Sequence, residues 1–258
     1  MELGLQNKKV LITGASRGIG FACAQRFAAE GAQILIISQD AGRLELAEQK
    51  IIDTTQTSLT AIAADLTDEA ARKKLFEDHP DIDILVNNAG AIQGGSLFDM
   101  SLDDWRKSWE LKVFGYIHMC QLYGQMMKTR KKGVIVNIIG MAGRALSADY
   151  ICGSTGNAAL IAFTQALGAE LQNHQVRIFG INPSPTETDR VKSLYQRRAL
   201  SKFGDAEKWR DMLDASRLPF GRLKQPDEVA NLAAMCCSES VGYLSGTVID
   251  MDGGGQYM

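Results

Sequence analysis

The stretch at residues 8–20, KKVLITGASRGIG, limits what the rest of the chain can fold into. An apolar run, Val10-Leu11-Ile12, leads straight into Thr13-Gly14-Ala15-Ser16-Arg17-Gly18-Ile19-Gly20. A helix-like segment over 21–30 follows and stops at Gly31. Strand, glycine turn and helix in that order open a nucleotide-binding βαβ unit. Gly14 makes the tight turn, Gly18 lets the backbone approach a pyrophosphate, and Gly20 lets the helix pack closely on the strand. The helix start adds unpartnered N–H groups and the positive end of its dipole. The backbone of Gly14, Ser16, Arg17, Gly18, Ile19 and Gly20 is therefore expected to hold the phosphates of a dinucleotide.

The alternation set up there continues. Apolar runs at 33–37, 58–63, 83–86, 134–139, 176–181 and 247–250 read as further strands, and 43–54, 68–78, 102–129, 150–172 and 226–237 as helices. Such alternation builds a parallel sheet with right-handed crossovers and helices on both faces, a doubly wound, Rossmann-like α/β fold. The 258 residues contain no linker-like stretch, composition break or repeat, so a single domain over 1–258 is expected. Only 183–223 breaks the rhythm, with short helical patches around 190–202 and 206–216. An insertion after a strand's carboxyl end lies over the ligand crevice, which makes this segment a candidate substrate lid. Arg190, Lys192, Arg197, Arg198 and Lys202 make its first half basic, which by itself reads as a solvated helix face.

Composition removes several function classes. The net charge of -2 gives no footprint for nucleic acid or a membrane surface. No run of about 18 apolar residues is present to span a bilayer, and no basic-then-apolar leader opens the chain. Five cysteines without CxxC spacing fit thiols used as small core residues in a reducing cytoplasm, and three scattered histidines show no metal spacing. The second strand ends at Ser38-Gln39, where folds of this kind grip the adenosine ribose. An acid at the tip would bind the 2′-hydroxyl of NAD(H) and repel a 2′-phosphate. Ser38 stands there, with Arg17 and Arg43 close in sequence, so the reading leans toward NADP(H) over NAD(H).

Over essentially its whole length the chain resembles the short-chain dehydrogenases/reductases. The resemblance rests on TGASRGIG at 13–20, Asp65 after the third strand, NNAG at 87–90, Trp105 on the long helix, NPSPTET at 182–188 and DGG at 252–254. It implies a nicotinamide cofactor, a small-molecule alcohol or carbonyl substrate, and a homo-dimer or homo-tetramer. Asp65 and Leu66 are then expected at the adenine, Asn88, Ala89 and Gly90 at the adenosine ribose, and Pro183, Thr186 and Thr188 at the nicotinamide end. Ser184 stands where the family usually has glycine.

The same resemblance implies a catalytic Asn, Ser, Tyr and Lys, and local landmarks put other residues in their places. Seven after Trp105 stands Lys112, the serine place in VNIIGMAG is Gly140, and Gly153 and Asn157 occupy the tyrosine and lysine places. In one reading the chemistry is re-sited: Lys112 and Asn157 have traded types, and Tyr150, one helical turn before Gly153, supplies the phenol. In the other, the protein is a catalytically silent dinucleotide binder serving as a partner subunit or sensor. Lys112 paired with Glu110 or Glu170, and Tyr150 as a pocket-wall aromatic, are the structural alternatives.

Overall fold

In the computed structural model, residues 2–90, 92–213 and 218–257 are described, without the side chains at 194, 197, 198, 201 and 257. Seven strands form one sheet: β1 (Lys9–Thr13), β2 (Gln33–Ser38), β3 (Leu59–Ala63), β4 (Ile84–Asn87), β5 (Gly133–Ile138), β6 (Val176–Pro183) and β7 (Thr247–Met251). Their order is β3-β2-β1-β4-β5-β6-β7, and every pair is parallel. The order reverses between β1 and β4, so the crevice at the strands' carboxyl ends opens above Thr13 and Asn87.

The sheet is sealed on both faces, which is why its central strands read as unbroken apolar runs. Val10 and Ile12 of β1 point into one cluster, with Phe27 of α1 (Gly18–Ala29), Ile51 of α2 (Ala41–Thr55) and Val229 of α8 (Pro226–Cys237). Leu11 points the other way, into a cluster with Leu75 of α3 (Glu69–Asp78), Tyr123 of α5 (Gly115–Arg130) and Leu171 of α6 (Ile151–Leu171). Each such side chain contributes about 1.5–3 kcal/mol on full burial.

The glycine turn follows from sterics. Gly14 has φ +65 and Gly18 φ +58. A Cβ on Gly20 would lie 2.4 Å from the Gly14 carbonyl oxygen and 2.4 Å from Asn88 Nδ2, which seats α1 against β1. Because backbone is the obstacle, Gly20→Ala is expected to destabilise the fold by about 1–3 kcal/mol. An unchanged denaturation midpoint would show that the loop yields freely.

Two elements differ from expectation. The long helix over 102–129 is really α4 (Leu102–Trp109) and α5 joined by a π-helical turn, Glu110–Phe114, closed by a bond from Gly115 N–H to the Glu110 carbonyl. Arg72, buried, grips Glu110 there at 3.0 Å. Sequence periodicity does not register one extra residue per turn, and such bulges often sit at functional sites. Within 183–223, α7 (Asp189–Phe203) is followed by a 3-10 segment, Ala206–Met212, and the two share a small apolar cluster of Ala199, Trp209 and Leu223. The end of the expected patch at 206–216, and the side chains of Arg197 and Arg198, lie outside the described residues.

Candidate functional site

At the expected phosphate end, α1 begins after Arg17 with no side chain capping it, which leaves its first N–H groups without a side-chain partner. Asn88 holds the loop from behind, donating its Nδ2 to the Thr13 and Gly14 carbonyls at 3.0 and 3.1 Å. The Thr13 hydroxyl in turn accepts from the N–H groups of Asn88 and Ala89. These residues shape the cradle more than they reach into it. Ser16 and Ile19 lie in the same turn, and Ser16 Oγ meets Ser38 Oγ at 2.9 Å.

Around the expected ribose, Gln39 donates to Asp65 at 3.2 Å, and Asp65 also accepts from the N–H and hydroxyl of Thr67. Leu66 is buried next to it. Arg43 is ion-paired to Asp40 at 3.2 Å, whereas Arg17 is exposed. At the opposite end of the crevice, Pro183 closes β6, the Thr186 hydroxyl donates to the Ser184 carbonyl, and Thr188 caps α7 while its methyl faces Gly18.

Three further residues are expected from the sequence to carry the chemistry: Lys112, Asn157 and Tyr150. Lys112 is partly buried on the π-helical turn, and its ammonium donates to the carbonyls of Ile138 and Ile139, each at 2.9 Å. Neither acid weighed for it is its partner: Glu110 goes to Arg72 and Glu170 to Lys128. Its stem lies against Gly90, where an added Cβ would come within 2.6 Å of Lys112 Cδ. Burial, then the positive charge of Arg190, brings the amine down from its ordinary value to about 7. Between about pH 7 and the ordinary lysine value, the unfolded chain carries the extra proton. Stability is therefore expected to rise with pH across that window by up to about 1.4 kcal/mol per pH unit. Lys112→Met should flatten this profile in denaturation series at several pH values; equal slopes would show that the amine is not held neutral.

Asn157 is not linked to Lys112. It is only 5 % exposed, and its Oδ1 has no partner among the described residues, while its Nδ2 lies 3.3 Å from where a Cβ on Gly140 would stand. Gly140 itself has φ +141, a conformation open essentially to glycine. Tyr150 is the N-cap of α6, with φ -139 and ψ 34, so the chain unwinds one residue before the helix. Its ring lies over Gly153: a Cβ there would be 2.0 Å from Tyr150 Cε1 and 2.1 Å from Cζ. The phenol thus fills the space that a side chain at 153 would need. Burial raises its pKa, and Arg190 pulls it back in part.

Two residues escaped the sequence reading. Arg190, expected on a solvated helix face, reaches from α7 to the carbonyls of Gly90 (3.2 Å) and Ile92 (2.8 Å). Lys224 donates to Ser184 Oγ at 2.9 Å and to the Met251 carbonyl, and burial lowers its pKa to about 8. Both depend on contacts between distant segments, and no local pattern marks them. The five cysteines are free and buried, and burial raises the Cys152 thiol, so it is no ready nucleophile. Among the described residues no group of three or more His, Cys, Asp or Glu is placed to hold a metal, and no helix is long and apolar enough to cross a membrane.

The crevice fits a dinucleotide on its own features: an uncapped helix start, two left-handed glycines beneath it and an orphaned, buried amide oxygen at the far end. Comparison with known proteins agrees. The chain is 31% identical over 258 residues to a 3-oxoacyl-[acyl-carrier-protein] reductase, FabG, of Aquifex aeolicus (strain VF5), covering 98% of this chain and 99% of that one. It is 30% identical to the 7alpha-hydroxysteroid dehydrogenase of Escherichia coli (strain K12), covering 98% and 96%. The crystal structure of L-sorbose reductase from Gluconobacter frateurii, complexed with NADPH and L-sorbose, superposes with a TM-score of 0.90 at 26% identity, covering 98% of both chains. The short chain dehydrogenase family model matches residues 8–199, and the chain belongs to that family of nicotinamide-dependent oxidoreductases.

Proposed function

We propose that this chain transfers hydride between a nicotinamide cofactor and a small alcohol or carbonyl, with its proton donor at Tyr150 in place of a side chain at 153. The observation that carries this is the Tyr150 ring lying in the space above Gly153. When bound, the reduced cofactor supplies the hydride that adds to the substrate's carbonyl carbon. The carbonyl's π pair then moves to oxygen, which takes the Tyr150 hydroxyl proton, and solvent reprotonates the phenolate. Lys112 holds the carboxyl end of β5 in place and sets a positive or polar group beside the pocket. Asn157 Oδ1 is free to accept from a ribose hydroxyl.

Gly14, Ser16, Arg17, Gly18, Ile19 and Gly20 would hold the phosphates, and Ser38, Gln39, Asp65, Leu66, Asn88, Ala89 and Gly90 the adenosine. Pro183, Thr186 and Thr188 would hold the nicotinamide end. The lack of an acid at 38 and the exposed Arg17 favour NADP(H), and the L-sorbose reductase neighbour was solved with NADPH. Arg43, held by Asp40, adds little. NADPH is therefore expected to bind at least as well as NADH in calorimetry, and a tenfold preference for NADH, about 1.4 kcal/mol, would reverse the assignment. Residues 183–223 act as the substrate lid. A homo-dimer or homo-tetramer fits the exposed Phe98, Leu102 and Phe114, and buried free thiols fit the cytoplasm.

The deciding experiment is turnover of a carbonyl panel by the native protein and by Tyr150→Phe. Turnover that Tyr150→Phe lowers by about 10²–10⁴ with cofactor affinity kept supports the reading. Cofactor binding without turnover on any substrate leaves the silent dinucleotide binder as the better description.

A further inference from the structure

A phenol acts as a proton donor and acceptor near neutral pH only if something stabilises its anion, and a buried phenol without such help titrates too high. Tyr150 has no cation on its own helix within reach: the residue one turn on is Ser154, whose N–H bonds the Tyr150 carbonyl and whose hydroxyl accepts from Ser147. Its other neighbours are apolar. Ile92, Met100, Cys152, Trp105 and Trp109 form one cluster with its ring.

The cation that does approach comes from a distant segment. Arg190 sits in the first turn of α7, and its guanidinium spans the crevice to the carbonyls of Gly90 and Ile92. Ile92 is also part of the wall against which Tyr150 packs. The guanidinium and the phenol ring thus both lie against Ile92, and Arg190 draws the phenol's pKa back from where burial puts it. The groups facing the phenol are then Arg190 from α7, which stabilises its anion, and Cys152 on α6, which opposes it. Lys112 lies below Gly90, its amine 3.6 Å from where a Cβ on that residue would stand. It too feels Arg190, which disfavours a second charge there and leaves the guanidinium as the standing cation.

We infer that Arg190 is the charge partner of the Tyr150 phenol, a positioning residue that ties the strength of the proton donor to the placement of α7. This rests on the proposed role of Tyr150 and adds to it a residue carried by a different segment. With α7 docked, the guanidinium stabilises the phenolate left when the proton passes to substrate oxygen. With α7 displaced, the phenol loses that help and the donor weakens.

The test separates the two claims. Tyrosinate absorbance is followed through an alkaline titration of the ligand-free protein, and the Tyr150 step is isolated by subtracting the Tyr150→Phe titration. Arg190→Met should move that step to higher pH by on the order of one unit or more. Arg190→Lys, which keeps a charge but not the planar fork, should restore most of it. The rising limb of alcohol oxidation against pH, in which the phenolate is the base, should move the same way by a similar amount. Arg190 is exposed, so neither variant threatens the fold. A Tyr150 step unmoved in Arg190→Met, in a protein that Tyr150→Phe silences, overturns the role of Arg190 alone. Full activity in Tyr150→Phe overturns the proton-donor reading itself, whatever the titration gives.

Discussion

Gly18→Asp is expected to lower the affinity for NADPH and NADH together by at least about 100-fold, or about 2.7 kcal/mol, while the protein stays folded. Gly18 stands at the first turn of α1 with φ +58, and only the Thr188 methyl, at 3.2 Å, faces an added Cβ. Aspartate tolerates the left-handed region better than most residues, so the backbone cost is small. The carboxylate would sit among uncapped N–H groups, satisfying them itself and repelling the pyrophosphate. Gly18→Asn, of the same shape without the charge, should lose far less. Calorimetry with both dinucleotides gives the answer, and affinities that survive the aspartate would place the phosphates elsewhere.

Gly153→Ala is the second large effect. One added methyl carbon would lie 2.0–2.6 Å from three atoms of the Tyr150 ring, so the ring must leave. An alanine inside α6 is otherwise favourable, by about 1 kcal/mol over glycine. The lost packing of the ring offsets that gain, so the expected result is a folded protein of slightly lower stability, with cofactor binding kept and turnover reduced by about 10²–10⁴. Steady-state kinetics beside a thermal melt tests it. Activity that persists in Gly153→Ala would mean that the ring's position over residue 153 is irrelevant to catalysis.

Much of the architecture could be read from local pattern. The run KVLIT is buried on both faces because alternate side chains enter different clusters, and that is why it looks continuous and not alternating. The glycine turn announced itself because each glycine answers a steric demand that its neighbours impose. The π-helical turn did not, since one inserted residue leaves the apolar pattern almost unchanged. Tyr150 was visible as a candidate only through its spacing from Gly153. That its ring folds back over that residue depends on Tyr150 sitting outside the helix, with ψ 34, a property of the chain's path after residue 147. Arg190 lay furthest from reach: its carbonyl partners are about a hundred residues away in sequence, on another strand's loop. Basic residues on an amphipathic helix carry no mark that separates such a bridge from a solvated charge.

The backbone at Gly140 restricts what the loop after β5 can accept. With φ +141 and the Asn157 amide 3.3 Å from the site of a Cβ, any side chain placed there meets both strain, of about 1–3 kcal/mol, and a neighbour that must give way. This loop cannot take a serine at 140 by one substitution at no cost. The peptide would first have to turn over, and Asn157 would have to become something smaller or differently placed. Positions 140 and 157 are therefore coupled, and a change at either alters what the other can accept. Variants of this chain are thus expected to accept a side chain at 140 only together with a smaller or displaced residue at 157.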